Sequence, residues 1–454
     1  MAGWVNRIAD DSTRGRDTPS PELDRLAGVI ADEFRAAGLT PGGDSGGYLQ
    51  RYPLTTRRIQ PGYSRIEWRD AGGMARTLGF GAEVGFAQGT VPSGPISGPV
   101  VLLGGAIDAA RIPAARLRDR IVLWAADLSP AGAAKVDGIA ATLISGAPAA
   151  VIIVPSDPGI VRGMVAAQPA ERLATATPGL VFTAVTASEA AIGRSDPGLA
   201  ARIRQSRTRP VTTLDSTAIT MTVTIADTAA PAPLRSAPNV VAIRPGTDPA
   251  RRDQYIVVSA HMDHLGVVAG PDSIMNGADD NASGTAGILM LARALQQPGL
   301  VLGRSVILLL VSGEEKGLWG SAHFVAHPPV PLDHIVAEIN LDMIGRGWRD
   351  TVGVIGREFS GLGRVLDSVA GRHPELGVTP IGDVWPDEKR FFRSDHYSFA
   401  RRGVPSLFLS SGYSPDYHAP TDSPDKIDAA KEARLLRLVA SFVTALANRK
   451  EPVR

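Results

Sequence analysis

The chain has 454 residues, too many for one typical hydrophobic core, so two or more domains are expected. Its 47 Lys and Arg offset 46 Asp and Glu, and no basic run interleaves with aromatics, which argues against nucleic acid and anionic membrane as partners. Cysteine is absent, which excludes disulfides and thiolate metal sites, so any metal must be held by His and carboxylate. No apolar run approaches the ~18–20 residues of a membrane-spanning helix. The opening MAGWVNRIADDSTRGRD has no apolar stretch of the kind found in signal peptides, and the compartment stays open.

In chain order, residues 20–38 predict a helix. Ser20 suits the N-cap, Pro21 the first turn, and Leu23, Leu26, Ile30 and Phe34 form one face that ends at Gly38. Strand-like pieces follow at Tyr48–Leu54 and Tyr63–Trp68. From about residue 80 to 215 the chain turns rich in Ala, Gly and Pro, with short apolar bursts at Val100–Leu103, Ile121–Trp124 and Ala149–Val154. This stretch holds no candidate ligand cluster and reads as a separate β-rich domain. The division expected is 1–79 and 216–454 for one domain, with 80–215 inserted. Strand Ile219–Ile225 and a Pro-rich linker, Ala229–Pro238, lead back.

Regular α/β alternation follows. Strands are expected at Asn239–Ile243, Tyr255–Ala260, Ser305–Val311, Ile335–Asn340, Val352–Ile355 and Val404–Leu409. Helices are expected at Ala282–Leu295, from about Trp319, at Leu362–Ala370, and at the end, where Leu435, Leu438, Phe442 and Leu446 share a face. Strand after strand runs into a metal-competent group: His261, then Glu314 and Glu315, then Asp342, then Tyr417-His418, with Asp279 supplied by an intervening loop. All 8 histidines lie between His261 and His418, so the chemistry belongs to the second half. Open α/β sheets bind ligands at the carboxyl ends of their strands, and His beside Asp/Glu there is a donor set for zinc or a similar cation. A carboxylate placed directly after an all-apolar strand is costly to bury unpaired, which favours a shared cation.

The series HMDH, GADDNASG, SGEEKGLWGS, NLDMIG, RSDHYSF and DYHAPTDSPDKID resembles the co-catalytic dizinc exopeptidase family of bacterial leucyl-type aminopeptidases and glutamate carboxypeptidases. The resemblance covers about 239–450, with 20–75 matching that family's N-terminal helix and strands. RDRIVLWA followed by ISGAPAAVIIV gives the 80–215 insert a weaker resemblance to the protease-associated domain. The fold implied is a three-layer α/β/α mixed-sheet zinc-peptidase domain carrying that β-rich insert. The resemblance also implies two Zn2+ per chain: His261, Asp279 and Asp342 on one, and Asp279, Glu315 and His418 on the other, Asp279 bridging. Asp280 is the alternative bridge. A cis peptide is implied after the bridging residue, at Asp279–Asp280. Glu314 is implied as general base, Asp263 as the partner orienting His261, and Tyr417 as a hydrogen-bond donor to the tetrahedral oxyanion. Family members are often exported.

The implied activity is hydrolysis of the peptide bond at an N-terminus, with a peptide as substrate partner. A carboxypeptidase or dipeptidase would need cations for a substrate carboxylate, and Arg390, Arg393, Arg401 and Arg402 lie near SDHYSF. An aminoacyl cyclase is another reading of the same fold, although both ligand sets are complete here. Trp385, Phe391, Phe392 and Phe399 are expected either to line an apolar side-chain pocket or to belong to the core.

Overall fold

The apolar runs after residue 235 become neighbouring strands of one mixed sheet. The structure, a computed structural model, describes residues 1–104, 112–128, 139–168, 171–177, 179–180, 182–207, 215–230, 235–270 and 273–453. Among the described residues the sheet has 11 strands. Its main path runs Asp227–Ala229, Leu49–Ile59, Arg235–Arg244, Ser305–Val311, Tyr255–His261, Ile335–Leu341, Ser406–Ser410, Thr351–Ile355, Thr379–Ile381. Ser305–Val311, Tyr255–His261, Ile335–Leu341 and Ser406–Ser410 are parallel to one another. His261 pairs in register with Val311, and Leu341 with Leu409. The carboxyl ends of these strands therefore line up along one sheet edge, and the loops leaving them start side by side.

Side-chain alternation divides these strands between two cores. Ile256, Val258, Ala260, Val306, Leu308 and Leu310 pack beneath the helices Pro21–Ala36, Gly284–Ala294, Leu362–Arg372 and Ala429–Asn448. Val257, Ile307, Leu309 and Val311 pack on the opposite face against Phe324 and Phe399, from helices Trp319–Ala326 and His396–Ala400. The result is the expected three-layer α/β/α arrangement. Ser20 caps Pro21–Ala36 by accepting a hydrogen bond from the Leu23 amide at 3.1 Å. Phe399 is fully buried, its ring 5.8 Å from that of Phe324. Phe399→Ala should therefore lower the free energy of unfolding by ~3–5 kcal/mol in a urea titration.

A second sheet, 8-stranded among the described residues, is ordered Ala75–Gly79, Arg65–Arg69, Asp215–Thr224, Ile96–Leu103, Ile121–Trp124, Ala150–Ile153, Thr183–Ala187, Val84–Gly89. It too is covered on both faces: Val100, Leu102, Ile121 and Leu123 enter one core, and Val101, Leu103, Val122 and Trp124 the other. The strand pairings divide the sheets differently from the division expected at residues 79 and 216. Arg65–Arg69 and Ala75–Gly79 pair into the second sheet, while Arg172–Thr175 returns to pair with Leu54–Arg57 of the first. Within the expected linker, residues 235–238 belong to strand Arg235–Arg244, pairing with Leu49–Ile59, and residues 231–234 lie outside the described residues.

Candidate metal centre and active site

Each parallel strand delivers its polar group where its apolar alternation stops. His261 is the last residue of Tyr255–His261 and is fully buried. Its Nε2 lies 3.3 Å from Asp280 Oδ1 and 3.3 Å from Asp342 Oδ1. His418, reached from Ser406–Ser410, places its Nε2 3.2 Å from Asp280 Oδ2 and 3.3 Å from Glu315 Oε2. Asp280 thus offers one carboxylate oxygen to each imidazole. Donor atoms of His261, Asp280 and Glu315 all lie within 4.8 Å of one another.

The bridging position expected of Asp279 is geometrically that of Asp280, and the cis peptide is Asp280–Asn281, not Asp279–Asp280. Asp279 turns the other way. Its Oδ1 accepts from the Gly345 amide at 2.8 Å, and its own amide donates to the Asp422 carboxylate at 3.0 Å. Asp422 Oδ2 also accepts from the Asp280 amide at 3.1 Å. Between Gly277 and the helix Gly284–Ala294 the backbone opens into a π turn, with Asp280 and Asn281 outside helical φ/ψ. Neighbouring side chains on such a backbone diverge, so only one of the two aspartates can face the imidazoles. Gly277 enters the turn at φ +54, where a Cβ would meet the His264 ring at 2.5 Å.

The surrounding groups aim these donors. Ser394 Oγ donates to Asp342 Oδ2 at 2.7 Å and itself accepts from Asn340 Nδ2 at 2.6 Å. His264 Nδ1 lies 2.7 Å from Glu315 Oε1. Asp263, expected to orient the His261 ring, has Oδ1 3.8 Å from Nδ1, and the closer contact to that nitrogen is the Asp263 carbonyl at 3.2 Å. The shorter contacts of its carboxylate are to Thr18 Oγ1 at 2.9 Å and the Gly313 amide at 2.8 Å, so it pins the turn that carries Glu314 and Glu315.

Electrostatics identify what this cluster demands. Burial alone would discharge both imidazoles, yet Asp342, Glu314 and Asp280 hold His261 well above the usual histidine range. For His418, hydrogen bonds to Asp280 and Glu315 overcome burial and raise it to about 10. The site draws in positive charge, as a divalent cation supplies, and its donors are imidazole nitrogen and carboxylate oxygen, the set zinc accepts. Glu314 behaves differently. Burial pushes its carboxyl well up; His261 opposes this, while Glu315, Asp395 and Asp342 add to it.

Residues 239–443 match the model of peptidase family M28. The resemblance to that family lies in this matched segment. It contains His261, Asp280, Glu314, Glu315, Asp342 and His418. The chain is 30% identical over 219 residues to a probable leucine aminopeptidase of Trichophyton verrucosum, a match covering 46% of this chain and 58% of that protein. It is 29% identical over 218 residues to a probable leucine aminopeptidase of Arthroderma otae, again covering 46% and 58%. The chain therefore spans little more than half the length of these curated relatives. An aminopeptidase from Aneurinibacillus sp. strain AM-1 has the same fold, at TM-score 0.50 and 19% identity, covering 98% of this chain and 92% of that one.

Around the M28 centre, the other expected residues have mixed fates. Tyr417 stacks on the His418 ring at 3.8 Å and against Tyr413 at 4.2 Å. Phe399 belongs to the core, and Phe391 packs edge-on against Phe359 and His396. Trp385 stacks on Trp348 at 5.5 Å, where Trp348 is among the exposed aromatics. Arg390 is buried between Trp385 and Tyr413, 3.8 and 3.9 Å from their ring centres, and paired with Glu388 at 2.6 Å. Arg401 donates to the Gly179 carbonyl at 2.5 Å. Residue types and spacing did not single out Asp422, His264 or Ser394. The adjacent motifs PTDSPD, HMDH and RSD were the available signal.

Proposed function

We propose that the protein is a zinc-dependent aminopeptidase that releases the N-terminal residue of peptides. The observation that carries this reading is the single carboxylate of Asp280 set between two imidazoles, each flanked by a further carboxylate, Asp342 or Glu315. Such a set suits two zinc ions: His261 and Asp342 for one, His418 and Glu315 for the other, Asp280 shared. Zinc held there supplies Lewis acidity toward a peptide carbonyl and lowers the pKa of the attacking water toward ~7. Glu314 takes the proton of that water and passes it to the leaving amine. Tyr417, fixed by its stack on His418, donates to the developing oxyanion. Asp263 keeps the Glu314 turn in place through the Gly313 amide.

Direction follows from the charges. The centre is crowded with carboxylates that can hold a substrate ammonium. The cations that a carboxypeptidase would use are partly occupied, Arg390 by Glu388 and two ring faces, Arg401 by a carbonyl. A leucine amide with a free amine should be cleaved rapidly and its N-acetylated counterpart at least ~10²-fold more slowly, with two zinc ions per chain by elemental analysis. Rapid turnover of the acetylated compound, or a strict need for a free C-terminal carboxylate, overturns the assignment. The 80–215 insert, proposed to be a protease-associated domain, meets the far end of the Glu314 turn through Leu180, which precedes strand Thr183–Ala187 and whose amide donates to the Gly317 carbonyl at 3.2 Å. That contact supports a role in shaping peptide access.

A further inference from the structure

The loops of the M28 segment are not held by that segment alone. Residues Arg14 to Thr18, more than two hundred positions upstream, run beneath them. The backbone there is forced: Arg14, Gly15 and Arg16 all have positive φ, at 47, 65 and 41. Only glycine adopts that region freely, so the segment keeps this shape through its contacts. The approach is close. A Cβ on Gly15 would meet the Gly266 carbonyl oxygen at 2.4 Å and that of Met275 at 2.6 Å.

Arg16 is fully buried. Its Nε donates to the Met262 carbonyl at 2.9 Å, beside His261. Its Nη1 donates to the Asn276 carbonyl at 2.5 Å and Nη2 to that of Gly277 at 2.6 Å, with the Asp280 carbonyl 3.4 Å from Nη2. One planar fork thus ties the loop after His261 to the loop that carries Asp280. The next residues reach the third loop. Asp17 pairs with Lys316 at 2.8 Å, and Thr18 Oγ1 accepts from the Gly313 amide at 3.0 Å while donating to Asp263 at 2.9 Å.

We infer that Arg16, with Thr18, is a positioning residue that sets the spacing of the His261, Asp280 and Glu315 loops for metal binding. The inference rests on the metal reading above. It has a distinctive sign. As a bare buried cation near the centre, Arg16 would repel a divalent ion, so its removal would tighten binding. As a fork that spaces ligands, its removal must weaken binding. A partner that orients ligands without touching the metal is typically worth ~10–100-fold in affinity.

The test titrates Co2+ into the metal-free full-length protein, read by d–d absorption and by competition with a chelator, alongside thermal melts of the apo form. Wild type should bind two ions per chain, and failure to bind any would overturn the metal reading and this inference with it. Arg16→Met and Arg16→Lys should both weaken binding by ~10–100-fold, since lysine keeps the charge but not the fork. Thr18→Val, which preserves shape, should weaken it in the same direction and change the cobalt spectrum. It keeps the inference testable if the Arg16 variants do not fold. Unchanged affinity in folded variants, with only a lower melting temperature, overturns the inference, as does tighter binding in Arg16→Met or full recovery in Arg16→Lys.

Discussion

On the dizinc peptidase reading proposed above, Asp280→Asn is expected to strip at least one zinc ion from the protein and to abolish most of the activity, whereas Asp279→Asn is expected to leave both ions bound. The two residues are adjacent and chemically identical, so the contrast isolates geometry. Asp280 presents Oδ1 to His261 at 3.3 Å and Oδ2 to His418 at 3.2 Å. Without its charge two cations would face each other with no shared anion, and Coulomb repulsion at such a distance in a buried site is large. Asp279 instead accepts from the Gly345 amide and stands among Asp422 and Lys431, with burial and Asp422 pushing its carboxyl up to about 7. Its replacement should cost no more than the ~10–100-fold in affinity typical of a group that orients a ligand. Elemental analysis and chelator competition on both variants decide the matter. Two tightly held ions in Asp280→Asn, with loss in Asp279→Asn, would return the bridge to Asp279.

Glu314→Gln should lower kcat by ~10²–10⁴ while zinc content stays at the wild-type value. That loss corresponds to ~2.7–5.4 kcal/mol of transition-state stabilisation. Glu314 follows Gly313 in the turn that Asp263 and Thr18 pin, and it neighbours Glu315 without making either of the contacts that Glu315 makes with the His264 and His418 imidazoles. Burial holds its carboxyl well above the ordinary range, against His261 and with Glu315, Asp395 and Asp342. A raised carboxyl is suited to taking a proton from water near neutral pH and giving it up again. Glutamine keeps the size and removes the proton-carrying function. Loss of zinc in this variant would make Glu314 a ligand, and an unchanged kcat would leave the base to be found elsewhere.

Much of this site was legible in the sequence because it sits at the ends of strands. Ser305–Val311 is apolar at every position after Ser305 and has buried neighbours on both faces, so its assignment needed no tertiary information. The runs into His261 and Asp342 are largely apolar too, interrupted by Ser259 in one and by Glu338 and Asn340 in the other, and the absence of cysteine left only nitrogen and oxygen donors. Those features determine an α/β sheet with imidazole and carboxylate along one edge. The division between the two sheets was less legible, because Arg65–Arg69 alternates much as a strand of either sheet would, and pairing is a long-range choice.

What only the tertiary structure decided is which groups face one another. Spacing cannot separate Asp279 from Asp280, since the two differ only in where a non-helical turn points them, and Asp422, far along the chain, settles that by taking both amides. Nor could spacing reveal the Arg16 fork, whose partner at Met262 lies 246 residues away. An arginine in a polar N-terminal stretch reads as surface charge. It is buried here because backbone carbonyls at the ends of the loops need donors, and the folded chain brings the guanidinium to them.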